Sequence, residues 1–409
     1  MLGPGRRPST CLLGLHYEHG GLAHHVENLA GSLSRLVPTE VVALRPERGA
    51  LADLPEVKYR ALPVVMERWR TIQGSLLCAA ASATGMLTDA DVIHAHHPLS
   101  AALVRATSPR KCVIQTVHHI PSLDLSTMGA GARRTRLAAA ARTLERYCWP
   151  RLTALIVVHR ELADWIIGNL PVASEAIRVI PNGVDTQRFR PDPEAGRAIR
   201  RKLALPEDTF IGLCMKTLHK DDLSTVLRAA AAVDDPRFRL LIPWRDPTIS
   251  VPELVREAGA RNVVLADPIP YSETPGYYSG SDLILVPYLK REYNLGAAVP
   301  AHWPDTSLRE LCRAGYASVT SLTAMEALAS GTPTIVSVPG ARSRADRTDI
   351  ATAVPAWDHV ALAEAVREIL DDPGPAGAMA QNARRFVGEE FTWDKIAERT
   401  VALYRAVFS

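Results

Sequence analysis

Four groups of residues are of types that do chemistry, and each follows or precedes a short apolar run. Gly20-Gly21 comes after the run Thr10 to Leu15 and before a segment with apolar positions at Leu22, Val26, Leu29 and Leu33. Two glycines where a strand turns into a helix either let backbone amides approach an anion at the positive helix end or make a tight turn. The second group is histidine: His94-Ala95-His96-His97 after one run and His118-His119 after the next. An HxH pair at a strand end suits a metallohydrolase only with an Asp and another His directly after it, and Pro98 and Leu99 stand there. His118, closing the run Val113 to Val117, is either a hydrogen-bonding group in a cleft or a satisfied turn histidine. Lys216 and Lys220, after Phe210 to Cys214, are two ammonium groups that could neutralise a diphosphate or be merely solvated. The fourth group centres on Glu326, in the apolar stretch Thr323 to Pro333. A lone acid there needs a partner, which is either a ribose diol or a buried structural contact. There is no GxGxxG after a strand, no GxxxxGK[ST] and no HExxH, which disfavours dehydrogenase, P-loop and zincin chemistry.

These residues need elements to hold them, and the chain supplies a regular alternation. Thr10 to Leu15, Val41 to Leu44, Asp91 to His94, Lys111 to Val117 and Ala154 to Val158 read as buried strands. Gly21 to Leu36, Trp69 to Leu87, Ala101 to Thr107 and Arg133 to Tyr147 read as the helices between them. The rhythm restarts after Ile180-Pro181-Asn182-Gly183-Val184-Asp185. Strands then follow at Phe210 to Cys214, Arg239 to Ile242, Val263 to Leu265, Asp282 to Val286 and Pro333 to Val338, with helices at Asp222 to Ala232, Pro252 to Ala258, Ala324 to Ala329 and His359 to Leu370. Strand–helix alternation predicts parallel sheets covered on both faces, with ligands at the carboxyl ends of the strands. Tyr288 to Val319, with several Pro and Gly, reads as an irregular insertion.

A chain of 409 residues with 47% hydrophobic and 22% charged residues can bury two cores of roughly 200 residues each. Lys and Arg (47) nearly balance Asp and Glu (44), so no nucleic-acid partner is expected. Six scattered cysteines without a CxxC pair read as reduced thiols. The start lacks a signal peptide's apolar region, and Ser75 to Leu87 is too short to span a bilayer, so a cytoplasmic location is expected. Arg133 to Arg151, with Arg134, Arg136, Arg142 and Arg146, is either a solvated face or a peripheral contact with anionic lipid.

Taken together, these segments resemble the retaining GT-B glycosyltransferases of family 4, which include sucrose-phosphate synthase-like and bacterial sugar-transfer enzymes. The resemblance rests on Gly20-Gly21 with Val26 and Leu29-Ala30, on Asp91-Val92-Ile93-His94-Ala95-His96 and on Thr116-Val117-His118. It continues in Ile180 to Asp185 with Phe189, in Tyr277-Tyr278 to Asp282 and Pro287, and in Met325-Glu326-Ala327 with Gly331-Thr332-Pro333. It implies an α/β chain of two Rossmann-like, doubly wound domains facing a cleft: an acceptor-side domain over 1–185, a nucleotide-sugar domain over 186–390, and a C-terminal helix over 391–409 crossing back. It further implies His118, Lys216 and Lys220 as catalytic residues, His118 lying near the transferred sugar and the lysines at the leaving diphosphate. Gly20, Gly21, Asn182, Ser318, Thr320, Ser321, Leu322, Thr323 and Glu326 would bind the nucleotide sugar, Glu326 taking the ribose hydroxyls. His94, His96 and His119 would lie on the acceptor side. The donor would be a nucleoside diphosphate sugar, the acceptor a small or lipid-linked molecule, and no metal or other cofactor is implied.

The chain departs from the family pattern in three places. Lys216 and Lys220 stand where Arg is followed by Lys five residues later. Ile242-Pro243-Trp244-Arg245 replaces a Gly-rich turn. Ser318 occupies the place of an acid that commonly holds the donor sugar's hydroxyls, followed by Val319-Thr320-Ser321. The pocket then either takes a sugar modified at that point, met by Trp303, Tyr293 and Tyr316, or borrows an acid from the insertion, Asp305 or Glu310. Another nucleotide-sugar enzyme on the same architecture, such as an epimerase, or a non-catalytic sugar-nucleotide sensor are the alternatives to transfer.

Overall fold

Each half of the chain gathers its short apolar runs into one sheet. The computed structural model describes residues 8–14, 21–44, 56–62, 76, 90–127, 132–206, 208–215, 220–244, 250–287, 307–338, 346–347 and 349–407. The described residues divide into two compact units: one comprises those up to Gly183 and those from Trp393 onward, and the other those between Val184 and Thr392. The expected helix Trp69 to Leu87 lies outside the described residues apart from position 76.

In the first unit, β1 (Thr10–Gly14), β2 (Thr39–Leu44), β3 (Lys58–Leu62), β4 (Val92–Ala95), β5 (Cys112–Val117), β6 (Ala154–Val157) and β7 (Ile177–Val179) pair in the order β3-β2-β1-β4-β5-β6-β7. Every pairing is parallel. The order reverses between β1 and β4, the switch point at which α/β sheets take ligands. Successive side chains alternate faces, so Cys11, Leu13, Ile93, Ala95, Val113 and Val117 pack into one core. The opposite face receives Leu12, His94, Ile114 and Thr116, all buried.

The second unit repeats the plan. β8 (Phe210–Leu213), β9 (Phe238–Pro243), β10 (Val263–Ala266), β11 (Leu283–Val286), β12 (Thr334–Val338), β13 (Asp346–Arg347) and β14 (Thr352–Pro355) pair as β10-β9-β8-β11-β12-β14-β13, with only β13 antiparallel. Alternation again splits the strands between two cores. Ile211, Leu213, Ile284 and Val286 face the helices Leu322–Ser330 and Pro373–Glu390, while Leu283, Leu285, Leu240 and Ile242 face Lys220–Val233 and His359–Asp371.

The segment expected to be irregular is in part helical. Leu308–Ala314 is a helix closed by a capping box, in which Ser307 accepts from the Glu310 amide and the Glu310 carboxylate accepts from the Ser307 amide. Ala317–Thr320 is a short helix after it. The arginine-rich helix, Ala132–Cys148, buries only Glu145 and Cys148, and Arg142 lies 4.4 Å over the Trp165 ring. Among the described residues no helix is long and apolar enough to cross a membrane, and Cys11, Cys112, Cys148, Cys214 and Cys312 form no disulfide.

Two features fix the ends of the units. Arg384 donates to the carbonyls of Phe189 (2.8 Å), Thr186 (3.1 Å) and Ala329, holding the start of the second unit against its own helices. In the first unit, Gly183 lies against Trp393 so closely that an added Cβ would sit 2.7 Å from the indole ring. Gly183→Ala is therefore expected to destabilise the protein by about 1–3 kcal/mol through overpacking. A denaturant midpoint unchanged from that of the parent would show that the Trp393 contact gives way freely.

Candidate active site

Period-two alternation turns the histidine motifs into a cluster. His94 and His96 are two residues apart, as are Thr116 and His118, so each pair projects from one face of the same sheet. Parallel pairing of β4 with β5 sets His94 opposite Ile114 and brings the two pairs side by side. His94 Nε2 lies 2.6 Å from Thr116 Oγ1 and its Nδ1 lies 2.6 Å from Tyr404 Oη, so both ring nitrogens are engaged and the side chain is fully buried. The Tyr404 hydroxyl comes from the helix Trp393–Ala406. His96 Nδ1 lies 3.2 Å from His118 Nε2.

A fourth ring enters from outside the strands. On the helix Gly21–Ser34, His25 shares the buried face with Leu29 and Ser32, and its ring centroid lies 4.6 Å from His118 and 5.4 Å from His96. Its Nδ1 donates to Asn182 Oδ1 at 3.0 Å, and the Trp393 ring meets it edge-on at 5.2 Å. Asn182 thus belongs to the histidine cluster. His25 is absent from the residues expected of the site, and its signal in the sequence is its spacing from Leu29 and Ser32 along a helical face. Of the remaining expected residues, Gly21 is the first residue of this helix, Gly20 lies outside the described residues, and His119 is half-buried two residues beyond β5.

Burial holds these imidazoles neutral. It lowers His25 to about 4, against the raising effect of Asn182, and His94 to about 3, with His25 adding to the effect. His96 and His118 also fall well below the usual range, first by burial and then through the neighbouring imidazoles.

The second unit gathers another set. Ser321 caps the helix Leu322–Ser330 by accepting from the Ala324 amide at 3.3 Å, and its carbonyl accepts from Met325 at 2.9 Å. The amides of Leu322 and Thr323, in the first turn, make none of the described backbone hydrogen bonds and stand at the positive end of the helix. One turn further, Glu326 is 8% exposed, with Oε1 accepting from the Tyr271 hydroxyl at 3.2 Å and Oε2 from the Tyr278 hydroxyl at 3.3 Å. Arg188 lies 4.0 Å over the Tyr271 ring and donates to its carbonyl at 2.8 Å. The two tyrosines fix the plane of the carboxylate, a role that the Glu326 motif alone does not reveal.

Around the place of the missing acid, the Thr320 hydroxyl donates to the Tyr316 carbonyl at 2.9 Å. The Ser318 hydroxyl is buried without a hydrogen-bond partner among the described residues. Glu310 is committed to its cap, with Ser307 holding the carboxyl below the usual range, and Asp305 lies outside the described residues. Lys216 also lies outside them, and Lys220 begins the helix Lys220–Val233.

Comparison with known proteins places these sites in context. A sequence model described as Glycosyltransferase Family 4 matches residues 19–188. The chain is 27% identical over 337 residues to MMP alpha-(1->4)-mannosyltransferase of Mycolicibacterium hassiacum, covering 80% of this chain and 73% of that protein. Its fold is similar to sucrose-phosphate synthase from Thermosynechococcus elongatus, with a TM-score of 0.72 at 21% identity over 98% of this chain and 99% of that one. It is also similar to Anabaena Alr3699/HepE in complex with UDP-glucose, with a TM-score of 0.67 at 15% identity over 98% and 99%.

The neutral imidazoles make stability depend on pH. His25, at about 4 when folded and about 6.5 when unfolded, binds more protons unfolded than folded within that interval, and His94 behaves in the same way down to about 3. Stability is therefore expected to be level above pH 6.5 and to fall as the pH drops toward 4, by up to about 1.4 kcal/mol per pH unit for each group. Denaturant titrations across this range check it, and the slope should flatten in His25→Gln. An equal slope in that variant would show that His25 titrates as it does in the unfolded chain.

Proposed function

We propose that the chain, which has the GT-B fold of two Rossmann-like units, is a member of glycosyltransferase family 4 that transfers a sugar from a nucleoside diphosphate sugar, with retention of configuration, to a small or lipid-linked acceptor. The observation that carries this reading is Glu326, held by two tyrosine hydroxyls one turn behind a helix start whose Leu322 and Thr323 amides make no described bond. Helix N-termini bind phosphate groups, and a carboxylate one turn away is placed to accept from the two hydroxyls of a ribose. The structural neighbour in complex with UDP-glucose supports a donor of this class. Retention is what the resemblance to the retaining family 4 enzymes implies, and a relative named for an alpha-(1->4) product is compatible with it.

In this reading, negative charge grows on the leaving diphosphate and is stabilised by the helix amides with Lys216 and Lys220. His118, neutral through burial, donates or accepts a hydrogen bond at the transferred sugar and adds no charge there. His94, His96 and His119 line the acceptor side. Ser318, Thr320 and Ser321 meet the donor sugar where the family has an acid. Glu310 is engaged in its cap, which favours a donor sugar with fewer or modified hydroxyls at that position over an acid borrowed from Glu310.

Glu326→Gln keeps shape and removes charge, so nucleotide-sugar binding should weaken by about 1.5–3 kcal/mol while the fold persists. Calorimetric titration with donor measures this, and unchanged affinity would leave Glu326 as a structural partner of Tyr271 and Tyr278. Transfer should also persist in excess EDTA, because helix amides and lysines neutralise the diphosphate. Activity lost on chelation and restored by a single divalent ion would overturn that account of the leaving group.

A further inference from the structure

The histidine face of the first unit holds more nitrogen lone pairs than its packing uses. Asn182 Oδ1 can only accept, so the proton of His25 sits on Nδ1, the partner of Asn182, and the Nε2 lone pair is left over. His25 Nε2 is buried and has no hydrogen-bond partner among the described residues. The same holds for His96 Nε2, while His96 Nδ1 faces His118 Nε2 at 3.2 Å. One ring nitrogen from each of His25, His96 and His118 lies within 4.8 Å of the other two. His94 stands apart from this trio, because Thr116 and Tyr404 already occupy both of its nitrogens.

We propose that His25, His96 and His118 bind a divalent transition cation of the zinc class through one ring nitrogen each. The spacing fits: zinc–nitrogen bonds of ~2.0–2.1 Å place tetrahedral ligand atoms about 3.3 Å apart. His96 Nδ1 and His118 Nε2 already stand at 3.2 Å, and a ring nitrogen of His25 lies within 4.8 Å of both partners. The outer shell fits as well. A metal-bound histidine usually donates its other N–H to a carbonyl or carboxylate, which fixes the tautomer and ring plane, and Asn182 does this for His25. Trp393 packs against the same ring and limits its rotation.

The donor set also selects the ion. Three imidazoles suit zinc, cobalt, nickel or copper, whereas magnesium and calcium require oxygen ligands. Three protein ligands leave the fourth position open, and His118, the half-buried member of the trio, marks the way in from solvent. In the proposed reading the leaving diphosphate is neutralised by helix amides and lysines, so this cation has no part in that step. One consequence rests on the reading of His118 as a sugar contact: a bound cation takes up its Nε2, and zinc then inhibits transfer.

The test uses the full chain, stripped with EDTA and dialysed, and titrated with cobalt(II). The site predicts one equivalent bound with the intense visible bands of tetrahedral cobalt, and displacement of that spectrum by zinc. His25→Ala, His96→Ala and His118→Ala should each weaken cobalt binding at least tenfold, while His24→Ala, on the same helix, should bind as the parent does. His118 is partly exposed, so its variant tests the site if either buried variant fails to fold. Weak octahedral cobalt bands, binding that survives all three replacements, or equal loss in His24→Ala would each overturn the cation site. Zinc inhibition reversed by EDTA supports both the site and the His118 contact. Tetrahedral cobalt binding with transfer unchanged supports the site and overturns the sugar contact.

Discussion

Exclusion of water from one face of the first sheet is the constraint on which the rest of that unit depends. Imidazoles in such a place stay neutral, and every ring nitrogen left without a partner costs about 1–3 kcal/mol. His94 meets this demand with Thr116 from β5 and Tyr404 from the C-terminal helix, and His25 meets half of it with Asn182. The packing of Trp393 on His25 and on Gly183 follows from the same need. The linker asparagine, the glycine beside it and the last helix are therefore parts of one arrangement. That a short polar motif near residue 182 and a helix more than 200 residues later both serve the first unit has this physical cause.

The second unit solves a different problem, that of burying a carboxyl group in an apolar helix. Glu326 is next to buried Met325 and Ala327, and burial without donors would be costly. Tyr271 and Tyr278 provide one hydroxyl for each oxygen. They come from the segment leading into β11, and Arg188, just past the linker, braces Tyr271. Arg188, the tyrosines and the helix start thus converge within the second unit on a single acidic group.

Most of the strands were legible because parallel strands buried on both faces are continuous apolar runs. β3, β7, β13 and β14 were not: Lys58-Tyr59-Arg60 and Ile177-Arg178-Val179 lack such a run, Asp346-Arg347 is a charged pair, and Thr352-Ala353-Val354-Pro355 is only four residues long and ends in Pro. The helix Pro193–Lys202 was hidden by its charge, with Arg200, Arg201 and Lys202 in the last turn and only Gly196 buried. Ser307 and Glu310 spelled a capping box in a stretch read as irregular, and the surrounding Pro and Gly outweighed it. The HxH and TxH motifs pointed to one sheet face through their period of two, whereas His25, next to His24, offered only its helical spacing from Leu29 and Ser32 as a sign that it would join them. The roles of Tyr271 and Trp393 depend on contacts between segments far apart in sequence, which local pattern does not encode.

Acceptor-dependent release of nucleoside diphosphate tests the central claim most directly. Purified protein is incubated with a panel of nucleoside diphosphate sugars, with and without polyol and lipid-linked acceptors, and free nucleotide is quantified. Transfer predicts that one donor releases nucleotide at a rate that rises with acceptor concentration and that a glycosylated acceptor appears in equal amount. Donor that binds but is never turned over, or is converted to an isomer without nucleotide release, would contradict it.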